Sequence, residues 1–335
     1  MSDSFSRHLV DPELLPMLDA FPTTVLTEAM LPGMRGRASW FPADPKDAER
    51  TDQVLRTIPG RAGDPDVEVL IYRPRGVDGA LPCILHIHGG GYVTGRADGN
   101  EALHRPMAAD LGCVIVTVEY RLAPETRFPG AVEDCYAALA WTFANAAELG
   151  VDPARVGVMG ESAGGGLAAS LALLARDRGE YALAFQHLIY PMIDDRSCTR
   201  PDPHPTVGEF IWTPHNNRFG WAALLGHEPG IEGVSPYAAA ARAESLAGLP
   251  PTFIATGALD LFLEEDLEYA RRLTREGVPT EVHVYPGAFH AFQVMRGARV
   301  AQSADRDSRA ALNRFLNGRG QPGFRALTSQ VAEGM

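Results

Sequence analysis

A Gly-x-Ser-x-Gly motif is the first feature of this sequence that could do chemistry. Gly160, Ser162 and Gly164 form it. A serine hydroxyl is a weak nucleophile at neutral pH, so it must be held exposed, beside a base and near the positive end of a helix dipole. Glycines on both sides permit the sharp turn that this exposure requires, because they lack a Cβ atom. The motif therefore predicts Ser162 as a nucleophile.

The same five residues would also suit a structural turn, and their context decides between the two interpretations. Residues 156–159 are apolar and typical of a strand, whereas residues 163–175 are rich in Ala and Leu and typical of a helix. Nucleophilic serines of this kind lie on the turn between a strand and a helix. The context favours the nucleophile.

Three successive glycines, Gly89, Gly90 and Gly91, follow the apolar stretch 83–87. Backbone N–H groups free of side chains can stabilise the oxyanion of a tetrahedral intermediate, each by about 3–4 kcal/mol of activation free energy. We expect these donors to be the amides of Gly90, Gly91 and Ala163. The alternative is a phosphate-cradling loop, but the run lacks the Lys-Ser/Thr ending of a nucleotide P-loop.

An acid and a base should follow the nucleophile, each on a loop after a strand. Asp260 comes shortly after the apolar stretch 252–255, and His290 follows the stretch 282–285. His283 is the rival base, but it lies within a predicted strand. The sequence therefore predicts His290 as the base and Asp260 as the acid that orients it.

Other titratable residues near these motifs have structural interpretations. His86 and His88 share one face of a predicted strand, which would suit a metal pair, but no Cys, Asp or Glu cluster lies beside them. We interpret both as hydrogen-bonded structural histidines. Three acids after Asp260 are predicted to stabilise the N-terminus of a helix: Glu264, Glu265 and Asp266.

Together these residues have the types needed for acyl transfer. His290 would take the proton of Ser162 as the hydroxyl attacks a carbonyl, and would then protonate the leaving group. Asp260 would fix the tautomer of His290 and stabilise its cation. Water activated by the same histidine would release the acid. No cofactor and no metal are needed for this chemistry.

The elements that must position these residues alternate along the chain. Short apolar stretches bounded by Gly, Pro or Asp predict strands: 67–72, 83–87, 113–118, 156–159, 185–190, 252–255 and 282–285. Segments with helical spacing lie between them: 131–147, 163–175, 263–275 and 303–316. Strands that alternate with helices predict an α/β fold with a mostly parallel central sheet flanked by helices.

Two regions depart from this alternation. Residues 195–237 contain six prolines among aromatic residues, and we interpret them as an insertion above the sheet rather than another crossover. Residues 1–50 are rich in proline and short apolar clusters that suit short helices. This organisation predicts a catalytic core at 51–194 and 238–318, with a C-terminal tail at 319–335.

Composition excludes several classes of partner. The formal net charge of −12 would repel nucleic acid and anionic lipid headgroups, so we expect neither as a partner. No run of about 18 apolar residues, the length of a membrane-spanning helix, occurs in the sequence.

Cysteine spacing and the N-terminal residues bear on the compartment. The four cysteines lie far apart without a C-x-x-C pair, which argues against a zinc site and a disulfide scaffold and favours reduced thiols. The first twenty residues lack the continuous apolar run of a signal peptide. A cytoplasmic location is therefore expected.

In combination, these motifs resemble the bacterial hormone-sensitive-lipase-like esterases of the α/β-hydrolase superfamily. Beyond the glycine run and the serine motif, which are known for lipases and esterases, the resemblance covers about residues 60–318. It includes the segments Tyr-Arg-Leu-Ala-Pro-Glu at 120–125, Phe-Pro at 128–129, Val-Glu-Asp at 132–134 and Ser-Pro-Tyr at 235–237.

This resemblance implies an α/β-hydrolase core with a helical cap formed by residues 1–50 and 195–237. It also implies carboxylesterase activity on short- to medium-chain esters, without a cofactor. The last predicted strand and helix, about 280–318, often form a homodimer surface in the family. The sequence departs from the family's pattern at two positions. Glu161 stands where many relatives have Asp, and Leu261 stands where Pro is common; we expect neither to affect the chemistry.

Alternatives remain open for the activity and the pocket. The same three residues could cleave an amide, a lactone or a peptide bond, and the fold could serve a non-catalytic binding protein. Aromatic side chains of the insertion either line an acyl pocket too short for long chains or pack the cap onto the core. The predicted substrate-binding residues are Tyr92, Phe210, Trp212 and Phe219, with Trp221 as a further candidate.

Overall fold

Strands alternate with helices along the chain, as the apolar stretches predict. The computed structural model describes residues 5–21, 23–35, 43–61 and 63–318. The strands within these residues are β1 (Thr51–Ile58), β2 (Val67–Pro74), β3 (Leu81–Ile87), β4 (Val114–Glu119), β5 (Val151–Glu161), β6 (Gln186–Ile189), β7 (Thr252–Gly257) and β8 (Thr280–Tyr285). The helices are α1 (Leu15–Ala20), α2 (Leu31–Arg35), α3 (Pro45–Arg50), α4 (Glu101–Leu111), α5 (Gly130–Ala144), α6 (Ala146–Leu149), α7 (Ala163–Arg178), α8 (Pro214–Leu225), α9 (Leu263–Arg275) and α10 (Arg299–Asn317).

The eight strands form one sheet in the order β1-β2-β4-β3-β5-β6-β7-β8. β2 pairs antiparallel with β1 and with β4, and all the other pairs are parallel. The predicted α/β class with a mostly parallel sheet is therefore confirmed. Every residue of β3 and β7 is buried, as expected for central strands covered by helices on both faces.

Parallel strands place the functional loops at one edge of the sheet. Because β3, β5, β7 and β8 all run in the same direction, the loops after their carboxyl ends meet there. These are the loops that carry the glycine run, Ser162, Asp260 and His290. Ligand sites of open α/β sheets form at this edge.

Residues 195–237 contain one α-helix, α8, among turns. Since β6 and β7 are parallel neighbours, the chain that joins them, α8 included, is their crossover connection. The expectation that this stretch is not a crossover is therefore wrong. The prolines and aromatic residues of this stretch indicate an insertion but do not reveal that the same residues connect two parallel strands.

The N-terminal residues contact this connection through four hydrogen bonds, one of which is buried. The side chain of Asn216 accepts from the amide of Leu26 and donates to the carbonyl of Thr24. The carboxylate of Glu209 accepts from the backbone amides of Phe5 and Ser6. These contacts support a common cap, although the predicted division into core and cap stays a prediction. The predicted tail at 319–335 lies outside the described residues.

No helix in the part of the chain that the structure describes has both the length and the apolar character needed to cross a membrane.

Candidate active site

Ser162 lies on the turn between β5 and α7, with φ +56° and ψ −124°. A residue other than glycine rarely adopts a positive φ, and such strain is found mainly at functional sites. The flanking glycines make the turn possible. A Cβ at Gly160 would lie 2.2 Å from the carbonyl oxygen of Gly164, and one at Gly164 would lie 2.1 Å from that of Ile87.

His290 connects Ser162 to Asp260 through two hydrogen bonds. Its Nε2 lies 2.9 Å from the Oγ of Ser162, and its Nδ1 lies 2.9 Å from the Oδ2 of Asp260. The second carboxylate oxygen accepts from the amide of Phe262 at 3.0 Å. An acceptor at Nδ1 holds the proton on that nitrogen, which leaves Nε2 free to accept from the serine hydroxyl. Ser162, Asp260 and His290 are 6%, 0% and 5% exposed, respectively.

His283, the rival base, lies apart from this arrangement. It is part of β8, and its Nε2 is 2.8 Å from the carboxylate of Glu281, a neighbour on the same strand. The structure thus brings His290, and not His283, to Ser162.

The glycine run folds into a tight loop after β3. Gly90 has φ +128° and Gly91 has φ +61°. A Cβ at Gly90 would lie 2.1 Å from the carbonyl oxygen of Thr94, so no larger residue fits. The carbonyl of Gly90 accepts from the amides of Val93 and Thr94, which fixes the loop.

Three backbone amides beside this loop are free to bind a ligand. Among the described residues, the amides of Gly90, Gly91 and Ala163 donate to no protein acceptor. Buried backbone N–H groups are nearly always paired in folded proteins, so three unpaired ones near a buried serine indicate donors kept for another molecule. Ala163 is also the first residue of α7, where the helix dipole favours negative charge.

Trp212 is the predicted substrate-binding residue that comes nearest to the triad. Its ring centroid lies 6.3 Å from that of His290, and a Cβ built on Gly91 would lie 2.2 Å from its Cη2 atom. Its Nε1 donates to the Oδ1 of Asn217 at 3.2 Å, which orients the indole. Trp212 therefore borders both the base and the glycine loop.

The other predicted aromatic residues lie at different depths. Phe210 packs against Phe289, the neighbour of His290, with ring centroids 5.8 Å apart. Phe219 is half-buried against the hydrophobic core. Tyr92 is buried, and its hydroxyl donates to the carbonyl of Met192. Its ring packs against the buried Trp221, so these two side chains contact each other in the core.

Two aromatic neighbours of the base were missed in the sequence. The ring of Tyr190 lies 4.6 Å from that of His290, and the ring of Phe262 lies 5.2 Å away at a right angle. Both follow the carboxyl end of a strand, β6 and β7 respectively. That position was the signal that could have identified them.

Glu161, the residue before the nucleophile, has a carboxylate that contacts the glycine loop. Oε2 lies 2.8 Å from Nε2 of His86, and Oε1 accepts from the amide of Gly89 at 3.2 Å and from Nδ2 of Asn100 at 2.5 Å. Burial raises the pKa of Glu161, but the charge of His86 and these hydrogen bonds outweigh it and hold the pKa below its usual range. Glu161 is therefore anionic and hydrogen-bonded to the glycine loop. The expectation that this departure does not affect the chemistry stays a prediction.

The two histidines of β3 and its loop differ in their partners. Nδ1 of His86 lies 2.9 Å from the hydroxyl of Thr117, so both of its ring nitrogens are bonded, as expected of a structural histidine. His88 bonds only through Nδ1, to the carbonyl of Gly89, and its Nε2 has no partner in the described residues. Burial lowers the pKa of His88 to about 4, so its ring is neutral. Tyr120 stacks on it and donates to its carbonyl oxygen.

The acids at the start of α9 are more buried than a helix N-terminus requires. Glu265 accepts from the amides of Ile193 and Asp194, which ties α9 to the chain after β6. Burial raises the pKa of Glu265 and of Asp266 well above the usual range. The prediction that acidic side chains stabilise the N-terminus of this helix therefore applies only to Glu264, which is exposed.

Within the described residues, no group of three or more His, Cys, Asp or Glu side chains could hold a metal ion. All four cysteines are free thiols, and burial raises the pKa of Cys198 to about 11, so this thiol is not a competing nucleophile.

Comparisons with known proteins agree with this geometry. A family model described as alpha/beta hydrolase fold matches residues 84–294. Carboxylesterase NlhH of Mycobacterium tuberculosis is 35% identical over 320 residues, which cover 93% of this chain and 98% of that protein. Ethyl acetate hydrolase of Pseudomonas putida is 32% identical over 265 residues, which cover 74% of this chain and 82% of that protein.

Solved structures give the same result. A structure of a bacterial heroin esterase superposes with a TM-score of 0.82 and 37% sequence identity, covering 92% of this chain and 98% of that one. A structure of a thermostable esterase from Pseudomonas putida has a TM-score of 0.77 and 26% identity, covering 92% of this chain and 98% of that one.

Proposed function

Because this chain belongs to the α/β-hydrolase family whose model it matches over residues 84–294, we propose that it is a serine carboxylester hydrolase. The family match confirms the resemblance that the motifs indicated. Relatives that bear the names carboxylesterase and ethyl acetate hydrolase support the reaction class. In this proposal Ser162 is the nucleophile, His290 the general base and acid, and Asp260 the acid that orients His290.

One observation carries the proposal. The Ser162 hydroxyl bonds to His290, which bonds to Asp260, and the unpaired amides of Gly90, Gly91 and Ala163 lie in the two loops beside the serine. A structural network has no need for unpaired buried donors, whereas an oxyanion requires them.

Acylation follows from this arrangement. As Oγ of Ser162 attacks the ester carbonyl, its proton passes to Nε2 of His290, and the carbonyl π electrons move onto oxygen. Asp260 stabilises the imidazolium that forms. The amides of Gly90, Gly91 and Ala163 bind the oxyanion. When the tetrahedral intermediate collapses, the carbon–oxygen bond to the alcohol breaks, and His290 gives its proton to the leaving alkoxide oxygen.

Deacylation repeats these steps with water as the nucleophile. His290 accepts a proton from the water that attacks the acyl-serine, and the same amides bind the second oxyanion. Collapse returns the proton to Oγ of Ser162 and releases the carboxylic acid. These steps need no cofactor and no metal ion.

The substrates we propose are esters with short to medium acyl chains. Trp212 supports this choice, because its ring lies beside both the glycine loop and His290 and so limits the space around the reacting carbonyl. Phe210 extends the same apolar wall through Phe289.

An amidase, lactonase or peptidase would use the same triad and is the second candidate activity. A non-catalytic binding protein is disfavoured, because a scaffold that no longer catalyses has no need of a complete and hydrogen-bonded triad. The leaving group of the substrate distinguishes an esterase from an amidase or a peptidase. We expect p-nitrophenyl butyrate to be hydrolysed at least about a hundredfold faster than the matching p-nitroanilide, since an amine is the poorer leaving group.

The assembly of the protein is also a proposal. We propose a homodimer through β8 and α10, since β8 is an edge strand and exposes Val282 and Val284. Sedimentation at micromolar concentration tests it, and a purely monomeric profile would contradict it.

The cytoplasmic location stays a prediction, compatible with four free thiols. That neither nucleic acid nor membrane is a partner also stays a prediction.

The experiment that tests the function compares wild type with Ser162→Ala on p-nitrophenyl esters from acetate to decanoate and on p-nitroanilides. We expect turnover of the short and medium esters by wild type alone. Faster turnover of the anilides would replace the esterase with an amidase, and equal turnover by both proteins would reject Ser162 as nucleophile.

A further inference from the structure

The carboxylate of Glu161 joins three elements beside the nucleophile. It contacts His86 of β3, Gly89 of the loop after β3, and Asn100 of the 3-10 helix Ala97–Asn100. Glu161 itself is the last residue of β5, directly before Ser162. Its backbone also touches the loop, since a Cβ on Gly89 would lie 2.9 Å from the carbonyl oxygen of Glu161.

The register of the sheet explains why these contacts form. β3 and β5 are parallel neighbours, and Ile87 pairs with Gly160. The residue that follows Gly160 therefore lies beside the start of the glycine loop. A side chain at position 161 can set the distance between the nucleophile and the amides of Gly90 and Gly91, because it spans the gap between the two loops.

We propose that Glu161 is a positioning residue that holds the oxyanion loop against the nucleophile, with His86 as the partner that orients its carboxylate. The inference rests on the proposed ester hydrolysis and deepens it. Glu161 touches neither substrate nor reacting atoms, so it acts only through the amide of Gly89 and the two glycines that follow.

His86 and Asn100 fix the orientation of the Glu161 carboxylate. Nε2 of His86 lies 2.8 Å from Oε2 of Glu161, and Nδ1 of His86 lies 2.9 Å from the hydroxyl of Thr117, so the ring is held at both nitrogens. Asn100 donates to Oε1, the oxygen that also accepts from the Gly89 amide. The carboxylate is therefore held from two sides as an acceptor for the glycine loop.

The length of the side chain fits this role. An aspartate would be one methylene shorter, whereas Glu161 reaches His86 and Asn100 at the same time. Gln has the same length but no charge, and its amide nitrogen can only donate. In Glu161→Gln the bonds from Gly89 and Asn100 therefore become weaker neutral ones, and Nε2 of His86 faces an amide donor in place of a carboxylate oxygen.

The test measures the esterase parameters of Glu161→Gln and of its conservative partner Glu161→Asp. We expect Glu161→Gln to lower kcat by roughly tenfold to a hundredfold, because a misplaced donor loses part of its contribution. KM should change by less than about twofold, since ground-state binding does not use the oxyanion contacts. The affinity for an aryl trifluoromethyl ketone, whose serine adduct carries an oxyanion, should fall in parallel with kcat. Glu161→Asp should recover part of both losses, because it keeps the negative charge but is one methylene shorter.

Glu119→Gln is the matched control. Glu119 is also a partly buried glutamate at the end of a strand, and it accepts from the amide of Ala97, but it does not contact the glycine loop or Ser162. We expect this control to keep kcat and the affinity for the ketone within about twofold of wild type. Equal changes in Glu161→Gln and Glu119→Gln, or a loss confined to the melting temperature, would overturn the proposal.

His86→Phe and the double variant test the pairing. We expect His86→Phe to lower kcat as well, because it removes the hydrogen bond that orients the carboxylate of Glu161. The double variant with Glu161→Gln should lose less than the product of the two single losses, as interacting residues do. Multiplicative losses would reject the pairing. If Glu161→Gln does not fold, Asn100→Ala removes one support of the same carboxylate and should lower kcat in the same direction, with unchanged kcat contradicting the proposal.

A failure of the proposed function would be visible separately. If wild type hydrolyses no ester, the rate at which a fluorophosphonate labels Ser162 still reports the oxyanion loop, because its phosphoryl oxygen occupies the same hole. Slower labelling of Glu161→Gln than of Glu119→Gln would then support the positioning role alone, and equal rates would reject it.

Discussion

The indole of Trp212 lies directly against the backbone of Gly91, so closely that a Cβ at Gly91 would come within 2.2 Å of its ring. The same ring faces His290 at 6.3 Å. One side chain of the β6–β7 connection thus touches both the oxyanion loop and the base. If Trp212 lines the acyl pocket as proposed, this contact links substrate size to the backbone conformation of the glycine loop.

Truncation of Trp212 should shift the preference toward longer acyl chains. We expect Trp212→Ala to raise the ratio of kcat/KM for the octanoate ester to that for the acetate ester by at least about tenfold, because the ring no longer fills that space. The measurement is the rate on a series of p-nitrophenyl esters. Trp141→Ala, which removes a half-buried tryptophan of α5, is the control for lost stability. An unchanged chain-length profile in Trp212→Ala would show that this ring only packs the cap.

A methyl group at Gly91 should nearly abolish turnover. Gly91 has φ +61°, which costs an alanine about 1–2 kcal/mol, and the added Cβ collides with Trp212. We expect Gly91→Ala to lower kcat/KM about a hundredfold, as expected when an oxyanion donor is displaced.

The double variant Gly91→Ala with Trp212→Ala separates the two causes. It removes the collision but keeps the backbone strain, so it should recover part of the loss. A double variant no more active than Gly91→Ala would mean that the contact with Trp212 is not the cause, and full activity in Gly91→Ala would contradict the assigned oxyanion donor.

Replacement of Asp266 should stabilise the protein in a pH-dependent way. Burial, then the charges of Glu265 and Asp260, raises the pKa of Asp266 well above its usual range. The folded state then binds more protons than the unfolded state, so the free energy of unfolding falls as pH rises from the usual Asp range toward the raised pKa. We expect Asp266→Asn to melt at a higher temperature than wild type at about pH 7–8, with the difference shrinking toward about pH 4.

The control for this comparison is Asp202→Asn, an exposed position on the β6–β7 connection. Its melting temperature should follow that of wild type at each pH. A variant Asp266→Asn that is less stable than wild type over the whole pH range would show that the buried carboxyl makes contacts worth more than its charge costs.

The sequence predicts the triad because each member follows a strand whose apolar pattern is clear. Ser162, Asp260 and His290 lie after β5, β7 and β8, and parallel strands bring such loops together whatever the details of packing. The glycine run is equally local, since φ +128° at Gly90 is a conformation that glycine adopts far more readily than other residues. The triad and the glycine run can be predicted because both depend on the order of the strands along the chain and on local backbone preferences.

Two elements escaped prediction because their local signal is weak. β1 (Thr51–Ile58) is an edge strand with buried residues only at its two ends, so its apolar alternation is faint. α4 (Glu101–Leu111) contains Pro106, which interrupts the pattern of a helix. In both cases tertiary packing outweighs local preference.

The contacts around the triad depend on register and could not be predicted. The bond between Glu161 and His86 exists because β3 and β5 pair with Ile87 opposite Gly160. The rings of Tyr190 and Phe262 reach His290 through side-chain packing that no spacing in the chain reveals. The sequence therefore identifies the residues proposed to do the chemistry, but not the neighbours that position them.

The most direct test of the account is to trap the acyl-enzyme with p-nitrophenyl acetate and locate the acetyl group by peptide mass spectrometry. The triad predicts acetylation of Ser162 after rapid acid quenching of wild type, and none in Ser162→Ala or in His290→Ala, which lack the nucleophile and the base of acylation and should lose nearly all turnover. An acetyl group on another residue, or Ser162→Ala with wild-type turnover, would contradict the assignment of Ser162, His290 and Asp260.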